Sequence, residues 1–134
     1  MQLFFPDEGL TMQLERILTS SVKYKLFSNN LTPDRDTVLG DITPATWTGS
    51  TGINQSWSDY TTNGVSSHNG YAIAPPIDWT NGSGGDVDVY GYYVTDTGAT
   101  KLLAVARFDG APVTIVDGGS LSVVPVWGDF SQAE

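Results

Sequence analysis

Two periodicities divide the chain. Near the amino end, Leu10, Leu14, Ile17 and Leu18 recur at i, i+4, i+7 and i+8, which places them on one face of a helix. Asp7 and Glu8 stand where acidic groups favour the positive end of a helix dipole, and Ser20-Ser21 closes the segment. The pattern predicts one helix, over residues 8–19, and no other. From residue 22 the period changes to two. Val22, Tyr24 and Leu26 alternate with Lys23 and Lys25, as expected of a half-buried strand.

The clearest strand pattern is in the last third. Val87 to Thr95 predicts a strand, Asp96-Thr97-Gly98-Ala99 a hairpin turn, and Leu102 to Phe108 the returning partner. Asp109-Gly110 turns the chain again, Pro112 to Val116 predicts another strand, and Asp117-Gly118-Gly119 a second tight turn. Leu121 to Trp127 is expected to close the sheet. Nine of the twelve valines fall in residues 87–126, where β-branched side chains suit a pleated surface. Residues 40–85 are less regular, with Asn63-Gly64, Asn69-Gly70 and Asn81-Gly82 as turn signals. Pro75-Pro76 argues against a central strand at that point. This stretch also holds Trp47, Trp57 and Trp79, so short strands joined by long loops are expected rather than a linker. The fold expected is all-β: a β-sandwich, jelly-roll or immunoglobulin-like, preceded by one short N-terminal α-helix. At 134 residues the chain suits a single domain, with an arm and helix in 1–20, the sandwich in 21–127 and a tail in 128–134.

Composition narrows the partners. Fifteen acidic against six basic residues give a net charge of −9, which disfavours nucleic acid and anionic membrane surfaces as partners. Charged residues make up 16% of the chain, below the roughly 25% of an average domain. Twenty-seven serines and threonines fill that place, a surface chemistry common in β-rich extracellular and virion proteins. No cysteine is present, so a disulfide framework, a thiolate nucleophile and cysteine-ligated metals are excluded. One histidine excludes a multi-histidine metal site within one chain. No apolar run is long enough for a membrane helix, and Met1 to Pro6 lacks the basic end and long apolar core of a secretory signal. The expectation is a soluble chain made in the cytoplasm, without a cofactor.

Catalytic signatures are weak. His68 is the only base for a Ser-His-Asp arrangement, and it sits in the polar segment Ser66-Ser67-His68-Asn69-Gly70 without a nucleophile elbow. Asp86 and Asp88 share one strand face and would serve as a carboxylate pair or, joined by a loop carbonyl or Asp78, as oxygen ligands for calcium. A solvated strand face is the simpler account of them. Gly82-Ser83-Gly84-Gly85 lacks the strand–loop–helix context and the Gly-Lys-Ser/Thr of a phosphate loop. Asn30, Asn54 and Asn81 begin Asn-x-Ser/Thr sequons that chance explains in so Ser/Thr-rich a chain. Trp57, Tyr60 and Trp79 are glycan-contact candidates, because aromatic faces stack on sugar rings; the same rings would also fill a small core. The expectation is a protein that is not an enzyme.

Several segments, taken in order, resemble a family of small tailed-bacteriophage virion proteins of the head decoration or cement type. They are the N-terminal helix, Tyr24-Lys25-Leu26-Phe27-Ser28-Asn29-Asn30-Leu31-Thr32-Pro33, and Thr37-Val38-Leu39-Gly40-Asp41-Ile42-Thr43 with Trp47 and Gly49 after it. Tyr90-Gly91-Tyr92-Tyr93-Val94-Thr95-Asp96, Ala106-Arg107-Phe108, Ala111-Pro112-Val113 and Asp117-Gly118-Gly119 follow. The likeness spans residues 8–127 and is weakest over 50–85; many relatives carry Glu where this chain has Ala106. It implies a non-enzymatic virion protein on the capsid surface, with the major capsid protein and sister copies in a homo-oligomer as partners. Leu3, Phe4 and Phe5 at one end, and Trp127 and Phe130 at the other, are the apolar anchors such contacts would use. A glycan- or receptor-binding module of a tail or head fibre is the alternative.

Overall fold

The structure, a computed structural model, describes residues 16–17, 20–56, 61–62 and 72–127, with the side chains of 61, 62, 72 and 73 outside that description. It is built of antiparallel β-ladders. Arg16 and Ile17 are helical, and the rest of the helix expected over 8–19 lies outside the described residues.

The chain divides into two compact units. The larger comprises Val22–Asn54 and Asp78–Ser122. Its principal sheet has the order β2-β1-β7-β8, from β1 (Val22–Phe27), β2 (Ile53–Gln55), β7 (Gly91–Asp96) and β8 (Leu102–Arg107). β1 and β7 pair antiparallel without a break, from Val22 opposite Asp96 to Phe27 opposite Gly91. β7 and β8 form the expected hairpin, with a bulge that inserts Leu103 between the pairs Val94–Ala104 and Thr95–Leu102. The turn is tied by Asp96, whose carboxylate accepts from the backbone N–H of Thr100 at 2.7 Å and of Lys101 at 2.8 Å.

Both faces of this sheet are covered. Val22, Tyr24, Leu26 and Val94 share one face and are buried. The opposite face carries Phe27, Tyr93, Leu102 and Val105, and residues 28–45 fold back across it. There Phe27, Ile42 and Tyr93 form a cluster flanked by Leu31, Leu39 and Tyr90. The returning segment is fastened by Asn29, whose amide donates to the Asp41 carbonyl and accepts from Thr43 N–H, each at 2.9 Å. Backbone bonds Ser28 N to Thr43 O and Ala45 N to Leu26 O, each 2.9 Å, continue the seam. A 3₁₀ turn at Leu39–Asp41 is capped by the Asp41 carboxylate on Val38 N–H.

Two expected strands are each divided. Val87 to Thr95 becomes β6 (Val87–Val89) and β7, because Tyr90 breaks the run: its N–H donates to Phe27 O and its carbonyl accepts from Phe108 N. β6 then pairs with β9 (Val113–Ile115) rather than joining the main sheet. Leu121 to Trp127 becomes β10 (Ser120–Val123) and β11 (Val126–Trp127), which belong to different ladders. β10 pairs with β5 (Ile77–Thr80), where Thr80 and Ser120 hydroxyls meet at 2.8 Å. The other unit comprises Met1–Ser21, Gln55–Ile77 and Val123–Glu134. Its ladder runs β11-β4-β3, with β3 (Thr61–Thr62) and β4 (Ala72–Ile73). Pro75-Pro76 separates β4 from β5, as expected of proline outside a strand interior.

Candidate functional site

The register of β1 on β7 decides what the main sheet presents. Alternation puts Lys23 opposite Thr95 and Lys25 opposite Tyr93, all on the face that residues 28–45 cover at its Phe27 end. The covering segment stops short of the lysines and leaves a cavity of about 230 Å³. Leu39, Ile42 and Pro44 wall one side, and Tyr93 and Thr95 form part of the floor. Lys23 and Lys25 flank it; two residues apart on one strand, their backbones lie about 7 Å from each other. The stem of Lys23 runs over Gly52, where a β-carbon would lie 2.7 Å from its Cδ. Among the described residues neither lysine forms an ion pair, although the chain carries a net charge of −9. Burial pushes the Tyr93 phenol above its ordinary range, so it remains a neutral donor at physiological pH.

A second constellation surrounds Asn81, which is fully buried. Its amide nitrogen donates to Gly85 O at 2.8 Å and Ile115 O at 2.9 Å, and its oxygen accepts from Ser83 N at 2.9 Å. Its backbone bonds Gly118 and Gly119. Every polar atom of this side chain is engaged, so as folded it offers no glycosylation acceptor; Asn30 and Asn54 are exposed. Asp86 and Asp117 belong to the same tie. Asp117 N–H donates to the Asp86 carboxylate, and the Asp117 carboxylate accepts from Gly84 N–H. Asp88 accepts from Thr114 across the β6–β9 ladder at 2.6 Å. These bonds give Asp86 and Asp88 structural partners. Among the described residues no three His, Cys, Asp or Glu side chains gather as metal ligands.

The aromatic candidates separate. Trp79 is 1% exposed and its indole N–H donates to Thr51 O at 3.2 Å. That placement corrects the glycan-contact expectation for Trp79, because a buried ring has no face for a sugar. Trp57 and Tyr60 lie outside the described residues, as do Leu3, Phe4, Phe5, Phe130 and His68. Trp127 is 8% exposed, so as folded it packs within the chain instead of serving as an interface anchor. Alternation through this segment buries Pro125 and Trp127 and turns Val124 and Val126 outward, at 52% and 56% exposure. Those two valines are the apolar surface at this end. The period-two pattern carried the signal, but the size of the tryptophan obscured it.

No protein family, curated protein or solved structure matches the chain.

Proposed function

We propose that this chain is a non-enzymatic structural protein of a tailed-phage virion, carried on the outside of the head as a decoration or cement protein. On this reading its strands form a sandwich preceded by the short N-terminal helix, and it contacts the major capsid protein and sister copies.

One observation carries the reading. The segments that resemble the virion family are distant in sequence yet build one core: Phe27 from residues 24–33, Leu39 and Ile42 from 37–43, Tyr90 and Tyr93 from 90–96. Arg107, from residues 106–108, donates to Leu31 O at 3.0 Å and lies 5.6 Å above the Tyr90 ring. That these scattered segments pack into one framework is what supports the reading. Capsid contact further requires exposed apolar side chains on a surface poor in flexible lysine, and Val124 and Val126 supply a pair.

Heads assembled without this chain provide the test. Purified protein is expected to saturate their surface, whereas Val124→Ser/Val126→Ser protein with an unchanged circular dichroism spectrum is expected to bind poorly. Failure of the wild-type protein to associate with heads overturns the proposal.

A further inference from the structure

The cavity beside Lys23 and Lys25 has no part in the virion reading and stands independently of it. Its walls are chiefly apolar, from Leu39, Ile42, Pro44 and the Tyr93 ring, while its cationic groups sit together on one strand. Two ammonium groups on adjacent same-face positions repel each other, and an anion placed between them relieves that repulsion. Of the six basic residues in this acidic chain, these two alone line the cavity.

Size then selects the ligand. An apolar cavity of roughly 150 Å³ holds a benzene ring. At about 230 Å³ this one has room for a ring and a compact charged group, but not for a drug-sized molecule or a folded peptide. We infer that the cavity is a binding site for a small aromatic or branched aliphatic carboxylate, its apolar part against Leu39, Ile42 and Tyr93 and its carboxylate between Lys23 and Lys25. The neutral Tyr93 phenol and the two ammonium groups are all donors, which suits an acceptor-only carboxylate. Charge-assisted bonds to such a group are the stronger kind, so the lysines set both affinity and selectivity for the anion.

Benzoate is the probe, and benzyl alcohol is its neutral counterpart. Titration of the full chain, followed by amide NMR shifts, is expected to give saturable changes confined to β1, β7 and residues 39–44, with a Kd of about 1 mM. Benzyl alcohol is expected to bind about tenfold more weakly, as is benzoate to Lys23→Gln/Lys25→Gln protein. Both lysines are partly exposed, so that variant is expected to fold. Should it fail to fold, Lys25→Gln alone and the benzyl alcohol comparison decide. Absence of saturation, shifts centred elsewhere, or equal affinity for the neutral alcohol overturns the inference.

Discussion

The sheet of β1, β7 and β8 and the junction around Asn81 belong to the same unit but are ordered by different forces. In the sheet, side chains alternate in and out, and Tyr24, Leu26 and Phe27 vanish from solvent against apolar neighbours. At the junction, one residue joins three stretches of backbone through directed hydrogen bonds: its side-chain amide reaches 83–85 and 115, and its own backbone bonds 118–119. Apolar burial is non-directional and spread over many weak contacts. A buried polar tie is not, because removing one partner strands the others without water. The two regions should therefore fail differently when perturbed.

The largest effect is expected where the sheet has no space at all. A β-carbon on Gly91 would lie 2.0 Å from Ala106 O and 2.6 Å from the Phe27 ring. Gly91→Ala is expected to destabilise by about 3 kcal/mol or more, read as a fall in the urea midpoint. A midpoint within error of wild type would mean that β7 and β8 do not pair as described. Phe27→Ala removes the centre of the cluster with Ile42 and Tyr93 and is expected to cost about 3 kcal/mol. That variant distinguishes packing loss from backbone clash, because it creates space instead of filling it.

Asn81→Ala is expected to cost about 2 kcal/mol, since it removes the side-chain hydrogen bonds made to Gly85 O, Ile115 O and Ser83 N–H inside a buried junction. Hydrogen exchange sharpens the contrast. Amides of 83–85 and 117–119 should lose protection in Asn81→Ala while β1 and β7 keep theirs; uniform loss would show that the junction is not a separate support.

How far each region is legible in the sequence follows from the same contrast. Val-Lys-Tyr-Lys-Leu announces β1, and the Asp-Thr-Gly-Ala turn announces the β7–β8 hairpin, because alternation and turn chemistry are local signals. The break at Tyr90 was hidden: valines and tyrosines, both strand formers, stand on either side of it, and a change of pairing partner marks the boundary. Asn81-Gly82 reads as a turn, which is correct, but its amide bonds reach Ile115, 34 residues away, and no local pattern encodes that. Trp79 was readable in principle. Ile77 and Trp79 alternate with exposed Asp78 and Thr80, so the strand period places the ring inside. The lysine cavity was not, since Lys23 and Lys25 acquire a wall only when residues 39–44 return across the sheet.

A smaller effect belongs to the hairpin turn. Hydrogen bonds from Thr100 and from the backbone of Lys101 hold the Asp96 carboxyl below its ordinary value of 3.8. A carboxyl lowered in the folded state contributes stability that is present above the unfolded value and is lost as pH falls through the folded one. The urea midpoint of wild type should therefore exceed that of Asp96→Asn at neutral pH, and the gap should close below about pH 4. A gap independent of pH would mean that the carboxylate is not the group that ties the turn. Smallest of all is the expected effect of Val124→Ser/Val126→Ser on folding: both side chains are more than half exposed, so the urea midpoint should barely move.

The proposed place on a virion surface is tested most directly by counting copies of the chain in purified particles, by quantitative mass spectrometry against the major capsid protein. A head-coating protein predicts a ratio within a few-fold of one. A handful of copies per particle, or none, would contradict it.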